Sequence, residues 1–297
     1  MLRGNRCATL RAATRHLFVV SARAADPFRQ FYAELVTAGL GVAQSRLRSA
    51  FALVPRERFL GPGPWQVFAG TGYIATPSNH VAFVYQDVVI ALAPAKRLNN
   101  GQPSLHARCL SALGPCAGQD ALHIGAGTGY YSALLAELVG PTGQVEALEL
   151  DRRLAQAARR NLSDRGNVRV RSHSGVAGPL SKRDIIYVSA AATAPLRVWV
   201  DALRPQGRLI FPLTPGDGRG AMLRVTRTPS GLAADFLCAA YFVACVGAQR
   251  VLERQRLERA FAAGGAGDVR QLYFDRRPDA SCWMKGEDWW LSKRPLA

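Results

Sequence analysis

The stretch from Ala121 to Ala136, ALHIGAGTGYYSALLA, constrains the fold more than any other part of the chain. It reads as a short apolar strand that runs into a glycine-rich turn and then a helix. Gly125, Gly127 and Gly129 remove Cβ where the chain must turn sharply and where backbone must approach a ligand, and the N–H groups opening the helix point at that ligand. The spacing is G-x-G-x-G, with Tyr130 standing where the dinucleotide fingerprint has its third glycine. A pyrophosphate-bearing cofactor is therefore disfavoured, and NAD becomes the runner-up. About twenty residues on, where doubly wound folds bind a ribose, Gln144 to Leu150 reads as a second strand ending in Glu149. The plain alternative is an ordinary strand, turn and helix with a solvated glutamate.

The chain has 297 residues, 48% hydrophobic and 20% charged, enough for one large domain or a domain with an appendage. A net charge of +17 and a pI near 10.5 favour acidic partners such as nucleic acid, anionic lipid or carboxylate-rich peptide. Much of the excess is arginine dispersed along predicted helices, as at Arg152, Arg153, Arg159, Arg160 and Arg165. A solvated basic surface is the simpler reading, and nucleic acid is not the favoured partner. Six cysteines show neither a C-x-x-C pair nor metal-ligand spacing with histidine. They read as reduced and mostly core-filling, with no metal, in a monomeric cytoplasmic protein that does not engage membrane. Residues 1–25 carry arginines and no acid, which fits a disordered tail, a targeting segment or a start codon placed too early.

Asp26-Pro27 opens a helical segment with Phe28, Phe31 and Leu35, then Leu47, Phe51 and Leu53, that ends at Val54-Pro55. Tyr85 to Leu92 looks like a short strand or extended arm, and Asn99 to Ala107 a turn feeding a helix with Leu110 and Leu113. Strands near 121, 145, 168, 184 and 208 alternate with helical patterns, the signature of a doubly wound sheet. Leu209 to Leu213 and Phe236 to Val246 are the last strands, the latter an antiparallel partner.

The order of several segments then carries a resemblance. They are Val-Pro-Arg-Glu-Arg-Phe (54–59), Tyr85 with Asp87, Gln102-Pro103, Ile-Gly-Ala-Gly-Thr-Gly-Tyr (124–130), Asn161-Leu162, Asn167-Val168, the run Arg183 to Ala192, and Leu203 to Pro212. Over roughly residues 35–247 the chain resembles the protein-L-isoaspartate O-methyltransferases.

That resemblance implies an α/β fold: a doubly wound, mostly parallel seven-stranded sheet, Rossmann-like, that binds S-adenosylmethionine at the carboxyl ends of its strands. It implies methyl esterification of a protein or peptide carboxylate, most of all L-isoaspartyl residues, as a protein-repair reaction. The methyltransferase domain would span 26–247, between the tail (1–25) and a small C-terminal α+β appendage (248–297). The loop Gly125, Ala126, Gly127, Thr128 and Gly129 would cradle the methionine part of the cofactor, and Glu149 would hold the ribose hydroxyls. Where the family carries Asp-Gly after the third strand this chain has His173-Ser174-Gly175, which leaves Ser174 and Gly175 for the adenine without the charge. The family's acid before the glycine loop is replaced by His123, read as a structural hydrogen-bonder. On the substrate side, the serine of the family's Ser-x-Pro segment aligns with Gly101, and Gln102 and Ser104 are the polar candidates beside it. Tyr85, Asp87, Ala190 and Ala191 would line the rest of the cleft. The missing serine keeps two rivals open: a methyltransferase for another acceptor (natural product, peptide or RNA), and a non-catalytic cofactor-binding protein. Gly101→Ser is expected to raise activity on isoaspartyl peptide, unless the glycine sits at positive φ, where serine costs stability.

Beyond 247 the family pattern stops. Gln249 to Phe261 reads as a helix ended by Gly264-Gly265, Val269 to Asp275 as a strand, and Ser281 to Leu291 as a hairpin around Lys285 to Asp288. Its tryptophans would anchor the appendage on the main domain.

Overall fold

The computed structural model describes residues 26–41, 44–215 and 219–296, so the expected N-terminal tail and Cys7 lie outside the described residues. Helices α1 (Pro27–Thr37) and α2 (Ser45–Leu53) open the chain. Asp26 caps α1 by accepting the Phe28 N–H at 2.9 Å, and Pro27 takes the first helical position. α2 stops at Val54, whose extended backbone is what the following Pro55 requires. A small outer layer follows: β1 (Gln66–Phe68) pairs with β2 (Tyr73–Ala75), and β3 (Ala91–Ala93) with β4 (Leu98–Asn99). The arm expected from Tyr85 is strand only from Ala91 onward.

Next come α3 (Pro103–Leu113), β5 (Asp120–Ile124), α4 (Tyr130–Val139), β6 (Gln144–Glu149), α5 (Arg152–Asn161), β7 (Val168–Ser172), β8 (Arg183–Val188), α6 (Arg197–Asp201) and β9 (Leu203–Leu213). They are followed by β10 (Gly220–Thr228), β11 (Gly231–Ala240), α7 (Val251–Ala263), β12 (Gln271–Phe274), β13 (Cys282–Lys285) and β14 (Trp289–Ser292). One ten-stranded sheet runs β13-β14-β12-β11-β10-β9-β8-β5-β6-β7. From β7 to β9 the neighbours are parallel. Every pairing beyond β9 is antiparallel. The chain adds β6 and β7 on one side of β5 and then crosses to the other side with β8, so the order reverses at β5, where such sheets leave a crevice.

The doubly wound α/β reading holds, with ten strands in place of the seven expected and with half of the sheet antiparallel. β10 is a strand the sequence reading passed over, because Arg224, Thr226 and Arg227 interrupt its apolar residues and it lacks the continuous apolar run of β8. Residues 241–246, expected as strand, make only an isolated bridge between Ala244 and Ala191. The C-terminal helix and strands are present as read, and β12, β13 and β14 extend the main sheet.

Side chains alternate across the sheet into two cores. In β8, Ile185 and Tyr187 join Tyr32, Phe51, Leu110 and Leu134, while Ile186 and Val188 join Trp199, Phe211, Leu257 and Trp289. Of the described cysteines, all free, Cys109 and Cys245 are buried, Cys238 and Cys282 half-buried and Cys116 exposed. Core-filling therefore accounts for only two of them. Among the described residues no helix is long and apolar enough to cross a membrane.

Candidate active site

Parallel register sets Ile124 at the end of β5 beside Leu148, so the glycine loop and Glu149 emerge together at the carboxyl edge of the sheet. The Glu149 carboxylate accepts the Gly127 N–H at 2.7 Å and the Asp151 N–H at 2.9 Å. Burial, which leaves Glu149 9% exposed, raises its carboxyl above the ordinary value, against the pull of those two N–H groups. Gly127 and Gly129 have φ of 57° and 100°. A Cβ at Gly127 would lie 3.2 Å from Leu92 Cδ1 and one at Gly129 2.7 Å from Leu162 Cδ1, so the loop is squeezed between β3 and the end of α5. Thr128 Oγ1 donates to the Phe59 carbonyl at 2.6 Å, and Asn161 Nδ2 donates to the Thr128 carbonyl at 3.0 Å. The loop is thus tied to both flanking segments.

Across the crevice, Ala190 Cβ lies 3.5 Å from where a Cβ on Gly125 would be. Ala191 is fully buried; its N–H donates to the Val243 carbonyl at 2.8 Å and its carbonyl accepts Gln249 Nε2 at 2.6 Å. Ser174 Oγ accepts the Val176 N–H at 3.3 Å. The carbonyl of Gly175 accepts Trp199 Nε1 at 2.7 Å, and a Cβ there would meet Ile124 Cγ2 at 2.4 Å.

The segment Val54 to Phe59 organises the third wall. Arg56 is completely buried, and its guanidinium donates to the carbonyls of Val84, Gln86 and Val88 at 2.6 to 2.8 Å. That clamp fixes the arm carrying Asp87. Asp87 in turn gathers the start of α3: it accepts the Ser104 N–H at 2.8 Å, Ser104 Oγ at 2.6 Å and Gln102 Nε2 at 2.8 Å. Tyr85 points into the core, 3% exposed; its hydroxyl donates to Glu57, and burial pushes the phenol far up. Gly101 has φ of 70°.

Behind the loop lie two groups of hydrogen-bonded polar side chains. Ser132 Oγ is 2.7 Å from His123 Nδ1, and His123 Nε2 is 3.0 Å from Ser189 Oγ. The Tyr187 hydroxyl is 2.5 Å from His106 Nδ1. Burial lowers the His123 imidazole to about 3 and drives that of His106 well down, so both are neutral near pH 7.

A family model described as Protein-L-isoaspartate(D-aspartate) O-methyltransferase matches residues 33–250. The chain belongs to this family. A protein-L-isoaspartate O-methyltransferase of Aeropyrum pernix is 33% identical over 221 residues, covering 70% of this chain and 76% of its own. One from Ignicoccus hospitalis is 27% identical over 219 residues, covering 72% and 95%. Among solved structures, a protein-L-isoaspartate O-methyltransferase aligns with a TM-score of 0.62 at 24% identity, over 84% of this chain and 74% of that one. A Plasmodium falciparum structure described as a putative member, in complex with S-adenosyl-L-homocysteine, aligns with a TM-score of 0.59 at 18% identity, over 73% and 97%.

Set in this isoaspartate methyltransferase family, the residues singled out from the sequence divide into three groups, apart from Ser174 and Gly175, which follow β7. Gly125, Ala126, Gly127, Thr128, Gly129, Glu149 and Ala190 meet at one crevice. Asp87, Gln102 and Ser104 form one hydrogen-bonded cluster beside Gly101. Tyr85 and Ala191 are packed inside the protein. Arg56 and Asn161 belonged to quoted segments without a role being visible, because a clamp on carbonyls distant in the chain leaves no local pattern. His106 was passed over, and its signal was a histidine on an otherwise apolar face of α3.

Proposed function

We propose that this protein uses S-adenosylmethionine to methylate the carboxylate of L-isoaspartyl residues in proteins or peptides. The observation that carries the reading is the joining of the glycine loop to Glu149 at the point where the strand order reverses, in a member of this family. The residues present fit the cofactor: positive-φ glycines leave a cradle without side chains, and the Glu149 carboxylate keeps lone pairs for a ribose diol. Bound there, S-adenosylmethionine supplies an electrophilic methyl group. Gly125, Gly127 and Gly129 allow backbone to approach it, Glu149 orients the ribose, and Ser174 offers a hydroxyl without charge toward the adenine. Asp87, held by the Arg56 clamp, fixes Gln102 and Ser104 at the acceptor side, and the small side chain of Ala190 leaves room for a peptide backbone. An ionised carboxylate needs no base, so these groups serve mainly to align the acceptor and exclude water.

Cytoplasmic residence and a monomeric state belong to the same reading. Free thiols suit a reducing compartment. The β7 edge carries exposed Arg169 and Arg171, which discourage edge-to-edge pairing. We also place a boundary near 247 between the methyltransferase core and the C-terminal segment.

The test is transfer of a radiolabelled methyl group. A base-labile label on an isoaspartyl peptide, absent from the matching aspartyl peptide, is expected. An alkali-stable label on RNA, or no transfer to any acceptor, would sink the proposal.

A further inference from the structure

Gly101 and His106 occupy each other's space. A Cβ built on Gly101 would stand 2.1 Å from His106 Nε2, so the imidazole fills the volume that any other residue at 101 would claim. His106 is 1% exposed, and its ring is tightly held. It stacks on Tyr131 with centroids 3.6 Å apart and planes within 4°, and its Nδ1 meets the Tyr187 hydroxyl at 2.5 Å. Nε2, facing Gly101, has no hydrogen-bond partner. One residue before Gly101, Asn100 is 8% exposed; its Oδ1 accepts the Ile90 N–H at 2.8 Å, and its Nδ2 also lacks a partner. Buried polar atoms are rarely left in this state, and here both belong to the residues that precede and pack against Gly101.

The place is right for an acceptor. Tyr131 is the second residue of α4, directly after the glycine loop, and β3, which pairs with the strand leading to Gly101, brings Leu92 to Gly127. The chemistry is set by Asn100 Nδ2, which can only donate, so the ligand atom it takes is an acceptor oxygen. Tyr187 sets up a second donor: when its hydroxyl donates to Nδ1 of the neutral His106 ring, the ring's own N–H lies on Nε2.

We propose that His106 Nε2–H and Asn100 Nδ2–H hold the carboxylate of the methyl acceptor, a contact made from α3 and β4's end because Gly101 has no side chain to make it. This rests on the carboxylate-methylating function proposed above. The two residues bind the acceptor; neither transfers a proton.

His106→Phe keeps a ring against Tyr131 and removes the nitrogens, and Asn100→Asp keeps the acceptor to Ile90 while replacing the free donor by an oxygen. In the full-length protein, each variant is expected to lower kcat/KM for an isoaspartyl peptide by about ten- to a hundredfold, mostly through KM. The calorimetric Kd for S-adenosylmethionine should stay within about twofold of the parent, a split that general loosening of the fold would not give. The parent should also bind the isoaspartyl peptide at least about tenfold more tightly than its side-chain amide, and the variants should lose that preference. Should His106→Phe fail to fold, Asn100→Asp decides alone. A folded variant with parental kcat/KM and parental preference for the carboxylate overturns the proposal. Failure of the parent itself to methylate the peptide overturns instead the function on which it rests.

Discussion

A serine at position 101 would have to adopt a φ of 70° and place its Cβ 2.1 Å from His106 Nε2. The gain in activity expected from the sequence is therefore reversed. Gly101→Ser should cost on the order of 1–3 kcal/mol in denaturant unfolding, from backbone strain and from displacing a packed ring, and should not raise turnover of isoaspartyl peptide. Combining it with His106→Ala removes the contact and leaves the backbone term, so the double variant should lose less than the sum of the two singles. Additive losses would show that the two residues do not meet. At this scale Glu149 and the three loop glycines were legible because their chemistry is local: an acid ending a strand, and glycines where a turn must be tight. The pairing of Gly101 with His106 was not, since it depends on one side chain filling the shadow of another across a turn.

β5 carries the clearest electrostatic consequence at the level of elements, because His123 is buried and neutral within it. Its imidazole titrates near 6.5 in an unfolded chain and at about 3 in the fold. As pH falls below 6.5 the unfolded state takes up a proton that the folded state refuses, so stability is full above 6.5 and declines toward 3. Each unit of pH spent inside that window costs ~1.4 kcal/mol per such histidine, and His106 adds to the effect with the same sign. Thermal melts should therefore show Tm dropping between pH 6.5 and about 4.5, with a shallower slope in His123→Gln. Glu149, whose carboxyl burial raises, acts in the opposite direction toward the acid end of the window. Equal slopes in parent and variant would remove His123 from the account. Among elements, β5 to β9 could be read from alternating strand and helix patterns. β10 could not, because its half-buried arginines pair with or reach groups on neighbouring elements, Arg224 with Asp235 and Arg227 with the Val200 carbonyl.

Across the whole molecule, the C-terminal segment shares its apolar interior with the parallel half. Leu257, Val269, Leu272, Met284, Trp289 and Leu291 lie in one cluster with Trp199, Phe211 and Leu223. Phe236, Phe261 and Trp283 meet edge to face with centroids 5.3 to 5.5 Å apart, and buried Glu253 accepts the Glu287 N–H at 2.7 Å to hold the hairpin turn. A chain cut after Gly247 should therefore lose the cooperative unfolding transition of the parent, as followed by circular dichroism in urea. A cut protein with parental midpoint and slope would mean that the two parts are energetically separate. The ten strands also have a geometric effect. Neighbouring strands sit ~4.8 Å apart and turn by roughly 20–25°. Six steps separate β5 from β14, so the terminal hairpin stands on the order of 30 Å from the crevice and is rotated by about 120–150° relative to it. A reporter fused after the last strand would therefore sit six strands from the glycine loop, clear of the space into which a substrate must come.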